Sequence, residues 1–177
     1  LLAQGVEKLY YAIVEGELPL GPGVIDAPIG RQGDSIIGRC VTPEGKPSRT
    51  EYTILRAAQG LSLAACVPVT GRTHQIRVHM AEKGWPLLGD ELYGGPMEEF
   101  PRQALHCAGV AFTHPITGEQ LCLTAPLPED MAALLKKKGI GWRPVLTPFV
   151  EELLTVQPTT VEEITERYRK PKQKGRP

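Results

Sequence analysis

Ten consecutive residues, Thr70-Gly71-Arg72-Thr73-His74-Gln75-Ile76-Arg77-Val78-His79, hold two arginines, two histidines and a glutamine. They fall where an apolar run, Leu61 to Val69, gives way to a helical pattern closed by Gly84. A strand-to-helix junction this rich in donors suits an anion or a nucleic acid. From Tyr52 to Ala81 there is no Asp or Glu, while Arg56, Arg72, His74, Arg77 and His79 all lie in that window. A carboxylate-free surface favours phosphate oxygens. A buried hairpin with few charges would give the same pattern, so both readings stand at this point.

With the helix taken from Thr73 as N-cap, His74 and Arg77 project together one turn apart, and Ile76 and Met80 face the core. A cation in the first turns of a helix works against the dipole, so Arg77 calls for a specific anionic partner, a carboxylate or a phosphate. A buried salt bridge without functional meaning is the plain alternative. Metal binding is not expected, because His74 and His79 are five apart, whereas a zinc helix spaces its histidines four apart. Cys107 adjoins His106, but neighbours on a strand point to opposite faces, which argues against a thiol nucleophile. No carboxylates pair as a glycosidase requires. Tyr10 and Tyr11 lie on a β-prone run, one facing in and one out, and an exposed one could stack on a base.

The elements that must position these groups are mostly strands. The 177 residues carry no net charge, 41% apolar and 23% charged side chains, with 19 Gly and 17 Pro, as in a globular domain of many short strands and turns. Strands are expected at Lys8–Glu15, Val24–Ile29 and Ile36–Val41. Hairpins are expected from Thr50–Ala57 with Leu61–Val69, and from Ala104–Phe112 with Gln120–Ala125. Pro128–Lys138 reads as an amphipathic helix with Met131, Leu134 and Leu135 on its apolar face. The expected fold is α+β, a mixed, largely antiparallel sheet with flanking helices. Residues 1–143 form the domain. Residues 144–177 form a linker, a short helix opened by the Thr160–Glu163 capping box, and a tail with six basic residues from Arg167 onward. No CxxC occurs among Cys40, Cys66, Cys107 and Cys122, so buried thiols in a reducing cytoplasm are expected.

The chain resembles the RluA-type RNA pseudouridine synthases. The resemblance rests on Glu7-Lys8-Leu9-Tyr10-Tyr11-Ala12-Ile13-Val14-Glu15-Gly16, on Gly45-Lys46-Pro47-Ser48-Arg49-Thr50-Glu51-Tyr52 and on the Thr70–His79 stretch. It continues through Pro86-Leu87-Leu88-Gly89-Asp90 with Tyr93-Gly94, then Leu105-His106, His114-Pro115 and Ala125-Pro126-Leu127-Pro128, in the family's order. It implies isomerisation of uridine within ribosomal or transfer RNA, through a flipped-out nucleoside and without cofactor or metal. By position it implies Tyr10 as the tyrosine against the base and Arg77 as the arginine that pairs with the family's catalytic Asp. It leaves Arg72, Thr73, His74, Gln75 and His106 as RNA contacts, or as capping and structural residues.

One part of the family pattern is missing. Its Asp lies in an H-R-L-D-x-x-T-S-G segment before the K-x-Y strand, and the first Asp here is Asp26, in a different context. Asp90 matches a non-catalytic Gly-Asp. The expectations are therefore a fragment of a synthase catalytic domain with the N-terminal part missing, no activity by this chain alone, and Arg77 near Tyr10 with no Asp opposite it. The alternative is a non-catalytic RNA-binding synthase-like domain. A hydrolase finds no supporting motif.

Overall fold

The computed structural model describes residues 5–142. The expected linker, last helix and basic tail lie outside the described residues. Six strands form one sheet in the order β2-β5-β6-β1-β7-β8, and two more pair as a small separate sheet, β3-β4. Every ladder among the described residues is antiparallel. With a helix on each face of the large sheet, the architecture is α+β.

The two most apolar strands sit at the centre. β1 (Glu7–Glu15) and β6 (Leu61–Pro68) pair from Tyr10↔Cys66 to Glu15↔Leu61. Side chains alternate across the sheet, so Leu9, Tyr11 and Ile13 join one core cluster while Ala12 and Val14 join the other, with Tyr10 packed at its edge. Helix α2 (Glu129–Lys137) covers the first face with Met131, Leu134 and Leu135. Helix α1 (Gln75–Glu82) covers the second with Ile76 and Met80. The hairpins β5 (Arg49–Ala58) with β6, and β7 (Leu105–Thr113) with β8 (Gln120–Thr124), form where the sequence predicts them.

Three local expectations are corrected. Val24–Ile29 is not one strand. It divides into β2 (Gly21–Asp26) and β3 (Ile29–Arg31), because Pro28 between them has no N–H for a ladder. In the Ile36–Val41 run only Arg39–Val41 forms a strand, β4, and Ile36 and Ile37 lie 85% and 60% exposed in the preceding turn. Helix α1 starts at Gln75, and Thr73 does not cap it. His74 occupies the N-cap position at φ 57°, ψ 21°, with no side-chain cap.

Between the helices the chain returns to the sheet. Leu88 donates its N–H to the Ile13 carbonyl at 2.9 Å and accepts from Ala104 at 2.8 Å, so Pro86–Leu88 lies against the end of β1. Gly89 and Gly95 frame the residue that follows. A Cβ on Gly89, at φ 73°, would fall 2.0 Å from the Arg102 carbonyl oxygen, and one on Gly95 would fall 1.9 Å from that of Leu87. Only glycine lets the backbone approach this closely, and the result is to fix Asp90 beneath α1.

Candidate functional site

A cavity of about 400 Å³ opens on the α1 face, at the end of β1 and β6. Its wall includes Lys8, Tyr10, Arg72, His74, Gln75 and Arg77, and it contains no Asp or Glu. The structure thus brings five of the sequence-derived candidates together. Thr73 lies just outside, on a neighbouring groove. His106 does not join them. It pairs with Tyr11 across the ladder, and Tyr11 packs into the cluster under α2, so His106 belongs to the opposite face, with its Nε2 3.3 Å from the Ala125 carbonyl.

Arg77 has the anionic partner its position demands, and that partner is a carboxylate within the chain. Its Nε donates to Asp90 Oδ2 and its Nη2 to Asp90 Oδ1, both at 2.7 Å. Asp90 is 1% exposed and Arg77 13%. The expectation of no Asp opposite Arg77 is therefore corrected: the glycine-framed turn delivers Asp90 to the guanidinium. The paired carboxylate, foremost through its hydrogen bonds, raises the Arg77 pKa further above its ordinary value. Nη1 is left over from this pairing.

Tyr93 ties the cluster together. The Arg77 guanidinium carbon lies 4.9 Å from the centre of its ring, and the His74 ring meets it edge-on at 5.6 Å. Its hydroxyl accepts the Arg39 backbone N–H at 3.2 Å and lies 2.7 Å from His74 Nδ1. Burial raises the Tyr93 pKa, and burial with the Arg77 and Arg39 charges lowers that of His74. A protonated phenol donating to a neutral imidazole satisfies both shifts, with Nε2 then carrying the ring proton. The left-handed backbone at His74, which costs roughly 1–3 kcal/mol for a non-glycine residue, is what turns this ring toward Tyr93.

Gln75 is a structural residue. It is 4% exposed and all four of its hydrogen-bonding positions are used. Oε1 accepts from Thr70 Oγ1 at 2.7 Å and the Arg72 N–H at 3.0 Å, while Nε2 donates to the Arg49 carbonyl at 2.9 Å and Thr50 Oγ1 at 3.0 Å. Each of these partners lies within the fold, so Gln75 lines the cavity with its amide already paired. His79 completes the network, with Nε2 donating to the Ala27 carbonyl at 2.9 Å and Nδ1 accepting from Thr50 Oγ1 at 2.8 Å. Burial lowers its pKa, against the Ala27 bond and the Asp26 charge, so it is neutral.

Tyr10 lines the same cavity from β1. Burial raises its pKa, as does the neighbouring Cys107. No group of three or more metal-ligating side chains occurs among the described residues. Asp90 and Tyr93 were assigned no role from sequence. The demand of Arg77 for an anion was the available signal for Asp90, but Asp90 lies thirteen positions further on, past the end of α1. Nothing in the spacing marks Tyr93.

Comparison with known proteins identifies relatives of the whole fold. The sequence model of the family described as RNA pseudouridylate synthase matches residues 2–82. The uncharacterized RNA pseudouridine synthase YjbO of Bacillus subtilis is 48% identical over 131 residues, covering 74% of this chain and 46% of its own. Ribosomal large subunit pseudouridine synthase D of Nitrosomonas europaea is 44% identical over 140 residues, covering 74% of this chain and 40% of its own. The chain belongs to the RluA-type RNA pseudouridine synthase family. Among solved structures, human RNA pseudouridylate synthase domain containing 1 superposes with a TM-score of 0.69 at 26% identity, covering 86% of this chain and 67% of that one. The chain spans about half the length of the curated synthases it matches. The cavity is lined by Tyr10 and Arg77, and Asp90 is the carboxylate paired with Arg77.

Proposed function

We propose that this chain carries the tyrosine–arginine half of a uridine-isomerising site acting on ribosomal or transfer RNA in the cytoplasm. The observation that carries this reading is the cavity in which Tyr10 and Arg77 share a wall that lacks any carboxylate. A cavity of about 400 Å³ is of the size that takes a small ligand, and a uridine flipped from its stack would enter it base first. Tyr10 is held as a neutral phenol, which suits stacking and hydrogen-bond donation to the base. The Asp90 pair fixes the Arg77 plane and leaves Nη1 for a second carboxylate, the one the family supplies from its H-R-L-D segment. That segment is not among the 177 residues, so the chain alone forms no carbon-linked product.

The non-catalytic binding module remains the second reading, because Arg77 has a structural use in its bond to Asp90 and its presence no longer distinguishes the two. Mass spectrometry of unmodified RNA incubated with the chain is expected to show no pseudouridine. The same chain joined to an H-R-L-D-bearing segment is expected to show it, and Tyr10→Phe and Arg77→Ala in the joined protein to lose it. Product from the 177 residues alone would overturn the first expectation. A joined protein that binds RNA without making product would favour the binding module.

A further inference from the structure

We propose, on the basis of the RNA reading above, that the groove between the β3–β4 hairpin and the Gly71–Thr73 turn is a phosphate-binding site for the RNA backbone flanking the nucleotide in the Tyr10–Arg77 cavity. This groove encloses about 420 Å³ and is lined by four cations, Arg31, Arg39, Lys46 and Arg72, against one carboxylate, Glu44. Glu44 is engaged with the Thr42 hydroxyl. The protein as a whole is neutral, so this excess is local.

Three further observations point to an anion there. First, β3 and β4 place Arg31 directly opposite Arg39. Like charges in facing cross-strand positions destabilise a ladder, most of all one of two strands, unless an anion lies between them. Second, among the described residues Arg31 and Lys46 are exposed with neither an ion pair nor a side-chain hydrogen bond, as are Lys83 and Lys136 elsewhere, whereas Arg49 meets Asp26 and Glu51, Arg102 meets Asp130, and Lys137 and Lys138 meet Glu99. What sets Arg31 and Lys46 apart is that they share one groove with two further cations. Third, the groove is built onto the cavity. Arg72 lines both, with its Nε held by the Pro47 carbonyl at 3.3 Å, and the Arg39 N–H is anchored on the Tyr93 hydroxyl that also holds His74. Arg39 is also pinned through Nη1, which donates to the carbonyls of Ile36, Ile37 and Gly38 at 2.9–3.3 Å. A strand whose uridine occupies the cavity must pass over Arg72, and the neighbouring phosphates then meet fixed guanidinium groups.

The test is fluorescence anisotropy of the full 177-residue chain with a short single-stranded RNA containing one uridine, titrated over a range of salt. Arg31 and Lys46 are exposed, so the double variant R31A/K46A keeps the fold, which circular dichroism checks. Loss of two phosphate contacts is expected to lower the slope of log K against log salt by about 1.4, at roughly 0.7 per contact for a single strand. Replacing the linkages that flank the uridine by uncharged methylphosphonates is expected to weaken binding to the wild type and to weaken binding to the variant less. An unchanged slope in R31A/K46A would overturn the groove. Competition by inorganic phosphate beyond that of sodium chloride at equal ionic strength, absent in R31A/K46A, would support it. Binding without preference for uridine over cytidine would count against the functional reading and leave the groove test intact. Absence of any RNA binding would overturn both.

Discussion

The two helices of this domain are built on different terms. Helix α2 follows the ordinary rules: Glu129 and Asp130 in its first turn, Lys136 and Lys137 in its last, and a buried apolar stripe. Helix α1 departs from them. It has no acid in its first turn, its first residue follows a left-handed histidine, and its buried residues include Gln75 and His79. A helix that departs from so many rules at once is positioned by specific polar contacts rather than by propensity. Those contacts, to Asp90, Tyr93, Thr50 and Ala27, lead to the cavity. One face of the sheet carries an ordinary apolar helix, and the other carries the polar network and the cavity.

The sharpest way to break this contrast is through the two salt bridges. Asp90→Ala strands a buried Arg77 and is expected to cost about 3–5 kcal/mol. The corresponding change on α2, Asp130→Ala, breaks a pair whose members are 40% and 44% exposed and should cost under about 1 kcal/mol. Urea unfolding of the two variants measures both, and equal losses would erase the distinction.

Leu135→Ala, at a side chain 1% exposed, should cost about 2–5 kcal/mol while leaving RNA affinity of the folded fraction unchanged. A parallel fall in affinity would show that the faces are coupled.

Acid should act through α1. Burial depresses the folded pKa of His79 below the ordinary 6.5, so the unfolded chain binds the proton more readily. Its contribution is therefore complete above about pH 6.5 and lost as the pH falls through the depressed folded value. His74 acts with the same sign. A urea midpoint followed across this range should fall on acidification, and His79→Gln should flatten the fall.

The smallest effect concerns the backbone. At φ 57° a glycine relieves strain that alanine retains, so His74→Gly should be more stable than His74→Ala by about 1 kcal/mol. Equal stability would mean that the left-handed turn is not imposed on the chain.

The same division decides what the sequence discloses. The central strand β1, both long hairpins and α2 are legible because alternation and amphipathicity are local properties: Leu9, Tyr11 and Ile13 declare a face, as do Met131, Leu134 and Leu135. The need of Arg77 for an anion is legible for the same reason, since it follows from its place on a helix. The identity of that anion is not, because Asp90 arrives through a turn defined by the close approach of Gly89 and Gly95 to carbonyls of other segments. The partners of Gln75 are hidden in a related way. An amide among arginines and histidines reads as a ligand contact, and only the tertiary fold shows each of its four hydrogen bonds already made.

One irregularity in β7 has a consequence for how this domain can change over generations. The β1–β7 ladder runs Leu9↔Gly109 and then Tyr10↔Cys107, passing over Ala108. This single unmatched residue sets the phase between the half of β7 beside the cavity and the half that runs into the β8 hairpin. Point substitutions along the strand exchange one side chain at a time. Removing or adding one residue here would instead invert one half of β7 against the other, exchanging interior for exterior in a single step. Along this strand, then, sequence drift is open to replacement and largely closed to changes of length, and length variation among relatives is expected to gather in the Thr113–Gln120 turn instead.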